Sequence, residues 1–161
     1  MSTVSVTEFI EAHAVDVWRL LADPRLRTAR TGAAGTIELL TDGGFGPGTA
    51  WRETRREPGG SALVEEFVVV EAEPPRRLVL HSPGAGVDYR ITWTLREVER
   101  RGRGCTEVTV AQESAPTRPY GRVVALLLGG LAARAVEGAL RQDLADLAAA
   151  ATATAGSAEA A

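Results

Sequence analysis

Few side chains in this sequence combine the type and spacing that chemistry demands. The two histidines, His13 and His81, stand far apart, and neither has cysteine or acidic residues at metal-ligand spacing. The spacing therefore points to no metal site. Ser82 follows His81 directly, but adjacent strand residues point to opposite faces, which places them poorly as a nucleophile and base. No Gly-x-Ser-x-Gly elbow occurs. The turn Asp42-Gly43-Gly44-Phe45-Gly46-Pro47-Gly48 lacks the Gly-Lys-Ser/Thr of a phosphate loop, and no helix follows it. Its expected role is to reverse the chain between two strands. Three candidates for proton transfer remain: Glu53, His81 and Tyr89. Glu53 would act as acid or base if burial raised its pKa. The plainer reading of Glu53 is a surface ion pair with an arginine of a neighbouring strand. His81 is expected near a rim.

The stronger signal is for binding. Trp51, Glu53 and Arg55 share one strand face by alternation, as do Tyr89 and Trp93. Gln112 shares a face with Val108 and Val110. An aromatic and aliphatic wall with a few polar groups is how small-molecule sites are built. Tyr120, at the start of a long helix, either borders that site or anchors the helix. Leu127 and Gly130 would line it from the helix. Two glycines in mid-helix, Gly129-Gly130, cost roughly 1 kcal/mol each relative to alanine. Either close packing against the helix or room left for a ligand would offset this.

That helix is the element around which the others are arranged. Residues 119–150 carry no proline after the first position. In the second half, Ala133, Val136, Leu140, Leu144 and Leu147 form one stripe at helical spacing. In the first half, Val123, Val124, Leu126, Leu127, Leu128 and Leu131 point nearly all round. The pattern predicts a helix that begins deeply covered and ends as an amphipathic surface helix. Upstream, residues 3–10 alternate as a strand. Residues 14–21 form a helix stopped at Asp23-Pro24, where a second short helix can begin. Strands are then expected over residues 35–41, 50–57, 62–73, 78–82, 87–96 and 107–112, with turns rich in Gly and Pro between them. Such short connections force antiparallel pairing. The expected architecture is α+β: a curved antiparallel sheet of about six to seven strands wrapped on the long helix.

Length and composition narrow the function classes. The chain has 161 residues, enough for one domain with a real core. It is 45% hydrophobic and 24% charged, with a net charge of -3. All basic residues are arginines, dispersed among acids, which argues against a nucleic-acid partner. The apolar run over residues 123–133 falls short of the roughly 20 residues of a membrane span, so no stable membrane insertion is expected. The single cysteine, Cys105, allows no intrachain disulfide and fits a reducing cytoplasm. The N-terminus lacks the pattern of a signal peptide. One domain is expected over residues 1–148, with an alanine-rich tail, residues 149–161, expected to be disordered.

Five stretches, in order, carry a family resemblance. They are the junction from Ala12-His13-Ala14 to Ala22-Asp23-Pro24, the turn and strand from Gly46-Pro47-Gly48 to Glu53-Thr54, and Glu73-Pro74-Pro75. The others are Gly104-Cys105-Thr106-Glu107-Val108, which leads into the last strand, and Arg141-Gln142-Asp143-Leu144 near the helix end. Together they resemble the START-like, or SRPBCC, superfamily, which includes polyketide cyclase/dehydrase-like and lipid-transfer domains. The chain departs from the family at residues 27–32, where a tryptophan-proline often stands. The resemblance implies a helix-grip fold with a hydrophobic cavity between sheet and helix. The function it implies is binding of a small hydrophobic molecule, such as a lipid, without cofactor. A polyketide cyclase/dehydrase-type enzyme is the alternative. A protein-interaction module, exposing an apolar patch around Phe45 and residues 126–128, is a third reading. A homodimer remains compatible with all three.

Overall fold

The computed structural model describes residues 2–26, 35–56, 59–84, 86–117 and 119–159, with side chains for all but residues 119–129, 131, 158 and 159. Strand β1 (Ser2–Ile10) leads into helix α1 (Ala14–Leu21) and a second short helix, α2, described over residues 24–26. Strands β2 (Thr36–Leu39), β3 (Ala50–Arg56), β4 (Ala62–Glu73), β5 (Arg77–Pro83), β6 (Val87–Arg100) and β7 (Arg103–Pro116) follow, and helix α3 (Pro119–Glu159) ends the chain. The sheet order is β1-β7-β6-β5-β4-β3-β2, with antiparallel pairing throughout. The chain starts at one edge, crosses to the other through α1 and α2, and meanders back. This is the helix-grip arrangement of an open sheet and a long C-terminal helix.

Local chemistry explains the element ends. Asp23 accepts the backbone N–H of Arg25 on its Oδ1 at 3.0 Å, a side-chain cap at the start of α2. The cap of α1 comes from another element: Ala14 N–H donates to Glu97 Oε1 of β6 at 3.1 Å. In the turn before β3, Gly46 N–H donates to Thr49 Oγ1 and Ala50 N–H to Thr41 Oγ1, both at 3.0 Å. The turn between β2 and β3 thus serves to reverse the chain. Strands β6 and β7 are longer than their alternation predicts. They pair over their whole length, from Val87–Pro116 to Arg100–Arg103. The turn is only Arg101-Gly102, both at positive φ (52° and 73°), a backbone that fits a two-residue hairpin. Pairing across the ladder, including Arg96 to Glu107 at 2.9 Å, overrides the weak strand preference of residues 97–104.

The core lies on one face of the sheet. Val6 and Ile10, Trp51, Phe67 and Val69, Leu78 and Leu80, Trp93 and Leu95, and Val108 and Val110 point inward from successive strands. Val17, Trp18 and Leu21 of α1 and Leu140, Leu144, Leu147 and Ala151 of α3 complete it. The second half of α3 is the amphipathic helix that the stripe predicts: Leu140, Leu144 and Leu147, with Ala151, are buried against the sheet and α1, while Arg134 and Arg141 stay exposed. The helix continues past residue 148 to Glu159, since the alanine-rich end has high helix propensity and Ala151 is packed in the core. The side chains of residues 126–128 lie outside the described residues. Replacing Leu144 by alanine should cost about 2–5 kcal/mol in urea denaturation, whereas Arg134→Ala on the exposed side should stay within about 0.5 kcal/mol.

Candidate functional site

The strand registers decide which candidates meet. Trp51 pairs with Phe67 on β4, and Glu53 pairs with Glu65. Val68 pairs with His81, which puts the alternating residue Ser82 on the face of Phe67. Ser82 pairs with Tyr89, Leu80 with Ile91 and Leu78 with Trp93. Ile91 in turn pairs with Gln112, and Trp93 with Val110. Trp51, Glu53, Arg55, Tyr89, Trp93 and Gln112 therefore share the inner face of the sheet.

His81 does not join them. It pairs with Arg90 on the outer face, where its Nε2 lies 3.5 Å from Asp88 Oδ2. The alternation that separates it from Ser82 also separates it from Glu53 and Tyr89. Gly130 occupies an exposed helix position, and no described atom lies within 4 Å of a Cβ placed there. The side chains of Tyr120 and Leu127 lie outside the described residues, as do residues 27–32. Phe45 is half-buried against the core rather than part of an exposed patch.

Glu53 differs from its plainer expectation. It is buried, at 4% exposure, and its arginine partner lies two residues along the same strand. Arg55 donates to Glu53 Oε2 through Nη2 at 2.8 Å and Nε at 3.3 Å. Trp51 Nε1–H donates to Glu53 Oε1 at 3.2 Å. The indole of Trp51 also stacks on Phe67, with centroids 5.5 Å apart. Burial alone would pull the Arg55 pKa down. The hydrogen bond to Glu53 and the charges of Glu53, Asp143 and Glu65 outweigh burial and hold it above the usual arginine value. Glu53 contacts this permanently charged guanidinium, and the charges of Asp143 and Glu65 favour it further.

Sequence reading missed Glu65, Phe67 and Asp143. The alternation of Leu63, Glu65, Phe67 and Val69 would have placed the first two on the face of Trp51. Asp143 had no such signal, because its charge acts on Arg55 only once α3 is folded over the sheet. Among the described residues, no three His, Cys, Asp or Glu side chains converge as a metal site requires, and no helix is long and apolar enough to cross a membrane.

An open antiparallel sheet holding a C-terminal helix, with an aromatic inner face and a few buried polar groups, defines the helix-grip class. Residues 1–152 match the family described as polyketide cyclase/dehydrase and lipid transport, and the chain belongs to that family, within the SRPBCC superfamily. No curated protein matches the sequence. Among solved structures, a protein from Thermus thermophilus, TTHA0849, is 20% identical, with 95% of this chain and 99% of that one covered at a TM-score of 0.71. A protein from Rhodobacter sphaeroides is 21% identical over 94% of this chain and 93% of its own, at 0.67. The di-domain ARO/CYC BexL of the BE-7585A biosynthetic pathway is 20% identical, with 92% of this chain matching 50% of that one at 0.63. At these identities the likeness is one of fold.

Removing the guanidinium should leave Glu53 buried with its charge uncompensated. Arg55→Met should cost at most roughly 3–5 kcal/mol, with the one-third exposure of Arg55 reducing the loss. Adding Glu53→Gln to that variant should recover much of it, as chemical denaturation of the single and double variants would reveal.

Proposed function

We propose that this protein binds a small hydrophobic molecule between the inner face of the sheet and α3. The observation that carries this reading is the make-up of that face. Trp51, Phe67, Ile91 and Trp93 supply apolar area, while Glu53, Arg55, Tyr89, Gln112 and Ser114 supply a few polar groups along it. Such a composition suits a ligand held by area and oriented by a few hydrogen bonds. The family, whose description includes lipid transport, supports the same reading. A cytoplasmic carrier role agrees with the single buried cysteine, Cys105. Nothing in the reading calls for nucleic acid or a cofactor.

A second reading, a cyclase or dehydrase acting on a hydrophobic substrate, is favoured by one specific observation. Glu53 is a buried carboxylate on the inner face with a fixed cationic neighbour, and a buried acid near a bound substrate is a candidate for moving protons. Tyr89 lies on the same face as a second proton donor. Orientation of a flexible substrate would itself supply much of the rate. The fold of BexL, an ARO/CYC protein, accords with this reading.

Native mass spectrometry of protein purified from its own host, followed by solvent extraction, tests the binding reading. A stoichiometric hydrophobic adduct is expected, and Ile91→Trp, which fills the inner face, should abolish it while the fold survives. An adduct that persists in Ile91→Trp would put the ligand elsewhere. Glu53→Gln separates the two readings: a carrier keeps its ligand, whereas an enzyme using Glu53 keeps affinity but loses turnover of that ligand by a factor of about 100 or more.

A further inference from the structure

One edge of the sheet lacks the protection that edges usually carry. β1 ends the sheet on one side and β2 on the other. β2 is only four residues long, which itself limits pairing with another chain. β1 runs for nine residues, and its ladder with β7 keeps register from Ser2–Ser114 to Ile10–Thr106. It holds no proline, no lysine or arginine and no bulge, the usual means of blocking an edge. Helix α3 packs on β1 from the inner face, where Val6 and Ile10 are buried. Ser5, Thr7 and Phe9, on the outer face, are exposed. Among the described residues no strand pairs with the far side of β1, so alternate backbone N–H and C=O groups point away from the sheet.

The side chains of β1 indicate what fits there. The run Thr3-Val4-Ser5-Val6-Thr7 reads the same in both directions. An antiparallel strand meets its neighbour in reverse order. A second β1 centred on Ser5 therefore sets every residue of this run against its own type. Thr3 faces the second copy's Thr7, Val4 faces the second copy's Val6, and Ser5 faces the second copy's Ser5. Hydroxyl pairs and β-branched pairs are favourable cross-strand neighbours. β1 and β7 already make one, with Thr7 Oγ1 and Thr109 Oγ1 2.8 Å apart. The only charge on the strand, Glu8, falls opposite the second copy's Ser2 rather than opposite its own like. The register keeps Val4 and Val6 of both copies on the inner face and the central hydroxyls on the outer one.

We propose that two copies of this chain associate through their β1 edges about a two-fold axis at Ser5, forming one continuous sheet. A self-matching surface is what such an isologous interface requires. Both copies use the same edge, so association stops at the dimer, and the short β2 edge gives little purchase for open-ended growth. The contact is confined to one strand of each copy and is smaller than a standard interface, so the dimer is weak, with a Kd of about 1–100 μM. It is independent of what the inner face binds.

Sedimentation velocity of the full chain from about 1 to 500 μM, a range that brackets such a Kd, is the test. Wild type should pass from monomer to dimer. A monomer throughout would leave the edge to an extended segment of another protein and overturn the proposal. Ser5→Lys and Ser5→Glu each set like charges against one another at the axis and should weaken the dimer about tenfold or more. Ser5 is exposed, so both variants should keep the circular dichroism of wild type. An equal mixture of the two should recover the dimer, and added salt should weaken that mixed species. Dimers that persist in both variants, or a mixture no better than either variant alone, would put the interface elsewhere and overturn the assignment. Should a variant fail to fold, wild type alone decides. Hydrogen exchange at alternate β1 amides should slow as concentration rises, and exchange that stays constant there overturns the proposal.

Discussion

The structure depends on covering one face of a seven-stranded open sheet. An open sheet with aromatic and aliphatic residues on its inner face exposes them to water unless another layer closes over it. The cover here comes from the two ends of the chain's helical content. Short α1 is held between the strand ends and α3, and the second half of α3 inserts Leu140, Leu144, Leu147 and Ala151. Each such leucine contributes roughly 1.5–3 kcal/mol when fully buried. The crossing of the chain between β1 and β2 places α1 where it meets both the sheet and α3. Glu97 of β6 then fixes its first turn, and Thr106 of β7 donates to Ala12 O at 2.7 Å. Strand, helix and sheet are thereby fastened at one junction, next to the best-buried part of the core.

Electrostatics on the two faces of β3 follow different logic. On the outer face Arg52 bridges Glu38 and Glu66 at 2.9 and 2.7 Å, an exposed ladder that is screened by solvent. On the inner face Glu53 and Glu65 stand directly opposite each other, an arrangement that like charges disfavour. Arg55 resolves it, and its attraction to Asp143 extends the same group to α3. A buried pair of this kind adds little net stability, since desolvation offsets the attraction, but it fixes geometry by penalising any displacement that strands one charge.

The remaining inner face divides by depth. Toward α1 and the end of α3 it is closed and apolar. Away from them it opens to Ile91, Tyr89, Gln112 and Ser114. A family whose description joins cyclase or dehydrase chemistry with lipid transport suits such a graded surface. Either activity needs an apolar floor and a few fixed polar groups, and neither needs a dense catalytic motif.

The period of the apolar residues was enough to determine the strands, the long helix and the shared faces of Trp51 with Glu53 and of Tyr89 with Trp93. Alternation and helical spacing are local properties, and every residue needed to read them lies within one element. The stripe from Val136 to Leu147 was legible for the same reason. The depth at which that stripe is buried was not, because burial depends on what lies opposite. Pairing across strands carried β6 and β7 beyond their own alternation, and it assigned His81 to the outer face and Glu53 to the inner. The arginine that neutralises Glu53, and the charge of Asp143 acting on it, likewise appear only in the folded chain. Each is a relation between elements distant in sequence, decided when the sheet curves and α3 closes over it.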